Sequence, residues 1–226
     1  MNITPAKPEI RKRSRWFEAM VVLIVISFGV LAFLVKTYTF FPLDLYITLA
    51  IQQVSNPVFA ELMNLLTFAG NTVPGSLVLA AGVLGLLHLR KLNDAFVLII
   101  STSGAVAVSI FFKAVVARPR PDPDLINQIG TFKVADSFPS GHVLFYIGFV
   151  GYLLYVSHLY LPKGVVKKII QMVCLLLIIL IGVSRIYLGA HWFSDTIGAY
   201  LIGVIWLLIV VHYRRKFVDF PQKKSE

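Results

Sequence analysis

The chain has 226 residues, of which 58% are apolar and 14% charged, and its mean hydropathy is +0.80. A soluble domain of this size needs far more polar surface, so the composition marks an integral membrane protein. The net charge of +10 does not point to nucleic acid, because the cations punctuate apolar segments and form no basic face interleaved with aromatics. Anionic lipid at a membrane surface is the natural partner.

A helix needs about 20 apolar residues to cross a bilayer. Six stretches approach that length, at 17–35, 74–89, 95–116, 143–161, 165–183 and 193–211. The expected fold is therefore all-α, a six-transmembrane-helix bundle. No polar stretch is long enough to fold apart, so residues 1–226 read as a single domain. The first stretch has a basic start but no small-x-small cleavage site, and reads as a retained signal anchor. Between it and the second span, Leu45, Leu49, Val54, Phe59, Leu62, Leu65 and Leu66 recur at three- and four-residue spacings, with Pro57 dividing the segment. Two short amphipathic helices on the outer interface are expected there. Trp16, Tyr38, Trp192 and Tyr213 are candidate interfacial anchors. Cys174, the only cysteine, lies mid-span and reads as packing.

Lysine and arginine set the orientation. With the N-terminus in the cytoplasm, fifteen of the 21 lie in the two tails and in the loops at Arg90–Lys91 and Lys163–Lys168. That excess places both termini inside. The remaining six are Lys36, Lys113, Arg118, Arg120, Lys133 and Arg185.

Three motifs then fall on the outer side. Lys113 and Arg118 stand at the exit of the third span. Five helical steps turn by about 500°, so the two do not share a helix face. Pro119 should end the helix at Arg118 and let it turn back toward Lys113. Snorkelling to headgroups is the competing reading of both cations, and Arg120 is open between the site and plain solvation. Pro139, Ser140, Gly141 and His142 open the fourth span. Ser140 is a good helix cap, Gly141 permits close approach, and a helix start presents free amides to a phosphate. An ordinary cap with a surface histidine is the alternative. Ser184 and Arg185 close the fifth span, followed by His191 and Asp195. Four residues apart, the last two share a helical face if the sixth helix includes both. The carboxylate would fix the histidine tautomer and leave the other ring nitrogen as a nucleophile. Arg185 offers a bidentate fork to phosphate oxygens. Ser184 more simply supports Arg185 or caps the helix. Ion groups this close to hydrocarbon mark a functional site.

Together the motifs K-x4-R-P, P-S-G-H and S-R-x5-H-x3-D resemble those of the type 2 phosphatidic acid phosphatase superfamily. Its lipid phosphatases carry K-x6-R-P, P-S-G-H and S-R-x5-H-x3-D. This chain has four residues between Lys113 and Arg118 where that pattern has six. The resemblance covers the segment from Lys113 to Asp195, and the six-span layout extends it to most of the chain.

The resemblance implies a role for each residue. His191 would attack phosphorus and form a phosphohistidine, and Asp195 would orient it. His142 would protonate the leaving oxygen and then activate water. Lys113, Arg118, Ser140, Gly141 and Arg185 would hold phosphate oxygens, with Pro119, Pro139 and Ser184 supporting them. No metal or other cofactor is implied. The expected enzyme is a lipid phosphatase of a bacterial plasma membrane, acting on its outer face. Phosphatidylglycerol phosphate is the leading substrate, with undecaprenyl pyrophosphate as the alternative and phosphatidic acid as a further partner. A lipid phosphotransferase using the same intermediate is a second reading. A transporter is disfavoured, because it should carry polar residues near the bilayer midplane, and here they sit at span ends.

Overall fold

A computed structural model of the chain describes residues 15–129 and 136–218. The basic residues Lys7, Arg11, Lys12, Arg13, Lys133, Lys223 and Lys224 lie outside the described residues. Most of the described chain is helical. The order is α1 (Arg15–Thr37), α2 (Pro42–Gln52), α3 (Pro57–Ala69), α4 (Thr72–His88) and α5 (Leu92–Val116), then α6 (Gly141–Tyr160), α7 (Val165–Tyr187) and α8 (Phe193–Val218). Five of these, α1, α5, α6, α7 and α8, are long and apolar enough to cross a membrane. α4 has 17 residues and meets α3 at a bend of 72°, and this bent pair taken together is the sixth candidate crossing.

Each expected span lies on one helix, but two helices run further than hydropathy suggested. α7 continues past Val183 to Tyr187, and α8 past Val211 to Val218. Polar residues ended the apolar stretches in the sequence. In the fold those residues are bonded to neighbouring helices, so the helices need not stop.

The segment between α1 and α4 forms two short helices, as its spacing predicted. Proline opens both, where the missing N–H costs nothing. Asn56 caps α3, its Oδ1 accepting the N–H groups of Val58 and Phe59 at 2.8 and 3.1 Å. α3 lies against α7, with Met63 and Leu66 turned inward.

α6 is the centre of the bundle. In its most apolar window 67% of residues are buried, against 11% for α1 at the edge. A π-helical turn at Ile147–Gly151 interrupts its hydrogen bonding, and Ser101 Oγ donates to the Gly148 carbonyl at 2.7 Å. A side chain from α5 thus satisfies backbone that the widened turn exposes.

At the end of the bundle away from the three motifs, Asp94 accepts hydrogen bonds from Arg214 Nε at 3.0 Å, Tyr152 at 2.7 Å and Tyr160 at 2.6 Å. This buried cluster ties the start of α5 to α6 and the end of α8. One expected anchor is corrected. Trp192 is only 1% exposed and stacks on Phe40 at 5.2 Å between ring centroids, so it packs inside the protein and not at the membrane surface.

Candidate active site

The three motifs meet at one end of the bundle. Helix α5 stops at Val116, and Ala117 takes a left-handed conformation with φ 52°. Its N–H closes the helix on the Lys113 carbonyl at 2.9 Å. The chain then runs extended, and Pro119 pairs with Asp136. Ser137 donates its N–H to Arg118 O at 2.8 Å and its Oγ to Pro119 O at 3.0 Å. These bonds lay residues 118–120 beside the strand that leads into α6. Ser140 then bonds the Asp195 carbonyl through its N–H at 3.3 Å.

The end of α7 is wound equally tightly. Gly189 has φ +68°, a conformation a side chain would strain, and a Cβ there would lie 2.7 Å from the Asn127 carbonyl. Ala190 and His191 both donate N–H to Arg185 O, at 3.0 and 3.2 Å. The turn therefore folds His191 back over Arg185.

Lys113, Arg120 and Arg185 converge on the two histidines. Each is held through a neutral oxygen. Lys113 Nζ donates to the Asp136 carbonyl, Arg120 Nη1 to the Ala190 carbonyl at 2.5 Å, and Arg185 Nη1 to Thr67 Oγ1 at 2.9 Å. A neutral oxygen fixes a cation's place without cancelling its charge. Ser140 stands at the start of α6 but makes no side-chain cap. Its Oγ is buried without a hydrogen-bond partner, although buried hydroxyls normally have one. Gly141 lies against Ser109, where a Cβ would approach Oγ to 3.2 Å. His142 Nε2 is 3.1 Å from Asn71 Oδ1.

Arg118 is placed differently from its expected role. It does not turn back to Lys113. Its Nε donates to Thr39 O at 3.0 Å, Nη1 to Ser194 Oγ at 2.7 Å and Asp195 Oδ1 at 2.5 Å, and Nη2 to Asp44 Oδ2 at 2.9 Å. All three nitrogens are bonded to protein, two of them to carboxylates, and the side chain is buried. The cation beside the histidines is Arg120. The signal was in the sequence: six residues separate Lys113 from Arg120-Pro121, so the K-x6-R-P pattern is met there and not at Arg118.

His191 and Asp195 come together, though not on one helix. α8 begins at Phe193, so His191 lies in the turn before it. Its Nδ1 is 3.5 Å from Asp195 Oδ2, longer than a hydrogen bond, and has no other partner. Asp195 is fixed by Arg118 and by the Trp192 N–H at 2.9 Å. Burial, then the charges of Arg185, Lys113 and Arg120, hold His191 well below the usual histidine value of 6.5. Burial and these charges thus favour the neutral imidazole. Sequence reasoning missed Asp44 and Thr67, single polar residues on helices read as interfacial, and Asn71, which stands between α3 and α4.

Residues 94–219 match the model of the PAP2 superfamily. Phosphatidylglycerophosphatase B of Bacillus subtilis (strain 168) is 27% identical over 209 residues, covering 89% of this chain and 98% of that protein. The crystal structure of the transmembrane PAP2-type phosphatidylglycerolphosphate phosphatase from Bacillus subtilis matches with a TM-score of 0.77 at 23% identity, over 88% of this chain and 98% of that one. Aquifex aeolicus LpxE matches with a TM-score of 0.60 at 24% identity, over 76% and 97%. With more than half its length in the family match and its three motifs gathered at one end of a matching bundle, the chain belongs to the PAP2 superfamily.

Proposed function

We propose that this membrane phosphatase removes the terminal phosphate of phosphatidylglycerol phosphate through a phosphohistidine, at the outer face of a bacterial plasma membrane. Its place among the lipid phosphatases, as a phosphoric monoester hydrolase, follows from the family and the relative named above. One observation carries the mechanism: the charges of Arg185, Lys113 and Arg120 act on a buried histidine and, with its burial, favour its neutral form. Phosphoryl transfer is governed by positioning and charge stabilisation, and this arrangement supplies both. The excess of cations at the opposite loops and tails supports the outer placement. We read the whole chain as one phosphatase domain.

In the first step the His191 lone pair attacks phosphorus, the ester P–O bond breaks, and His142 gives its proton to the leaving oxygen. Asp195 faces the positive ring that results, and the 3.5 Å gap to it closes as charge develops. In the second step His142 takes a proton from water, the water oxygen attacks phosphorus, and the P–N bond breaks to free phosphate and His191. Lys113, Arg120, Arg185, the Ser140 hydroxyl and the amides at the start of α6 hold the phosphate oxygens. Arg118 orients Asp195 instead of binding substrate.

The central experiment is phosphate release by purified protein from vesicles containing phosphatidylglycerol phosphate, undecaprenyl pyrophosphate or phosphatidic acid. The first substrate should give the highest kcat/KM, and folded His191→Ala should lose turnover by several orders of magnitude. Substantial turnover by that variant would remove the mechanism, and a clear preference for undecaprenyl pyrophosphate would replace the substrate. Sidedness is read by labelling in a Cys174→Ala background. Cysteine at exposed Asp124 should react with an impermeant maleimide in intact cells, and cysteine at Lys163 should not; the reverse pattern inverts the topology.

The two arginines should separate. Arg120→Ala should fold normally and lose activity. Arg118→Ala leaves two buried carboxylates without their cation and should cost about 3–5 kcal/mol of stability. Equal melting temperatures for the two variants in detergent would contradict this division. The depressed His191 value has a consequence for pH. A nucleophile is lost only as pH falls through its own pKa, so the acidic limb of kcat/KM belongs below 6.5. Removing a neighbouring cation, as in Lys113→Met, should move that limb upward. A wild-type limb at or above 6.5 would show that His191 is not the group being titrated.

A further inference from the structure

Two asparagines stand at the N-caps of α3 and α4, and they are used differently. Asn56 caps α3 with its side chain. Asn71 holds the same position before α4 and makes no cap bond, although asparagine is favoured there because its oxygen satisfies a bare backbone N–H. Its Oδ1 is instead 3.1 Å from His142 Nε2. Gly70 beside it is shaped to the same ring. A Cβ at Gly70 would stand 2.6 Å from His142 Cδ2 and 3.4 Å from Tyr146.

Thr67, at the same turn, serves Arg185. Its hydroxyl lies 2.7 Å from Ser184 Oγ and accepts from Arg185 Nη1 at 2.9 Å. Ser184 Oγ in turn donates to the Met63 carbonyl at 2.7 Å. The protons then have one assignment. Ser184 gives its hydrogen to Met63, so Thr67 must give its own to Ser184, and Thr67's lone pairs are left for Arg185.

We propose that the Thr67–Asn71 turn is the positioning element of the reaction. Asn71 accepts from His142 Nε2–H and so orients the ring that gives and takes the proton. Thr67 sets the direction of Arg185. The proposal rests on the phosphatase reading above. Neither residue touches substrate, and neither lies within the residues matched to the family.

The test compares kcat and KM on a lipid alkyl phosphate and on nitrophenyl phosphate, using full-length purified protein. Acid help matters for a basic alkoxide and little for nitrophenolate. Asn71→Ala should lower kcat on the lipid by about 10- to 100-fold, the scale of a misplaced catalytic group. Its KM should barely move, and nitrophenyl phosphate should be hydrolysed nearly as before. Added to His142→Ala, it should cost nothing further. The melting temperature should hold, because no cap bond is lost. Asn56→Ala should do the opposite, lowering the melting temperature and leaving the ratio of the two substrates unchanged. Gly70→Ala should reproduce the substrate-selective loss. Equal losses on both substrates, or an additive loss in the His142→Ala background, would overturn the proposal while leaving the phosphatase mechanism intact. A folded His142→Ala with no preference between leaving groups would remove the acid itself, and this inference with it.

Discussion

Arg118, Asp44 and Asp195 are each no more than 1% exposed, and the site depends on their being buried together. Taking a charge out of water costs several kcal/mol, recovered only when the buried groups are paired and hydrogen-bonded. Here each of the three is bonded more than once. Asp44 accepts from Arg118, from the N–H and Oγ of Ser194, each at 2.8 Å, and from the Phe41 N–H at 3.1 Å. Asp195 accepts from Arg118 and Trp192. The cluster joins α2, the chain leaving α5 and the first turn of α8. It leaves Asp195 no freedom to move away from His191.

The cluster also sorts the site's cations. An arginine between two carboxylates has its charge cancelled and acts as a strut. Lys113, Arg120 and Arg185 bond two carbonyls and a hydroxyl, which help orient them, and their charges act on His191. Burial and that field together disfavour a charged His191. In the proposed mechanism the entering anion would satisfy the cations, and only then would a positive charge on the ring be tolerable, with Asp195 already beside it. The same charges would then both prepare the nucleophile and hold the substrate.

The spans, the two short helices and the meeting of three motifs were legible in the sequence because each rests on a repeated signal: hydropathy, three- and four-residue spacing, or a motif. Arg118 and Arg120 are two residues apart on an irregular stretch, and only the pairing of Pro119 with Asp136 decides which faces the histidines. The six-residue spacing would have chosen Arg120, but the nearer Arg-Pro was read first. Asp44, Thr67 and Asn71 carried no pattern, since one polar residue on or beside an amphipathic helix looks like its solvated face. Trp192 misled for a related reason: an aromatic near a span end is usually an anchor, and only packing against Phe40 shows otherwise.

All three missed residues precede Asp94, where the family match begins. The matched part brings the candidate side chains to one place and holds the tips of Lys113 and Arg120 by its own carbonyls, while the tips of Arg185 and His142 are also met from outside it. Arg185 and His142 project from α7 and α6 on several rotatable bonds each, and a helix fixes where a side chain starts and not where it ends. Catalysis needs the far ends held to about half an ångström. Contacts to those ends come from the last turn of α3 and the residues before α4, where the two helices meet at a bend of 72°. Thr67 meets the tip of Arg185, and Asn71 meets the tip of His142. Asp44 does the same for the tip of Arg118 from α2. The short helices that read as membrane-surface elements thus supply what the spans cannot: fixed positions for the distal atoms of side chains whose chemistry depends on them.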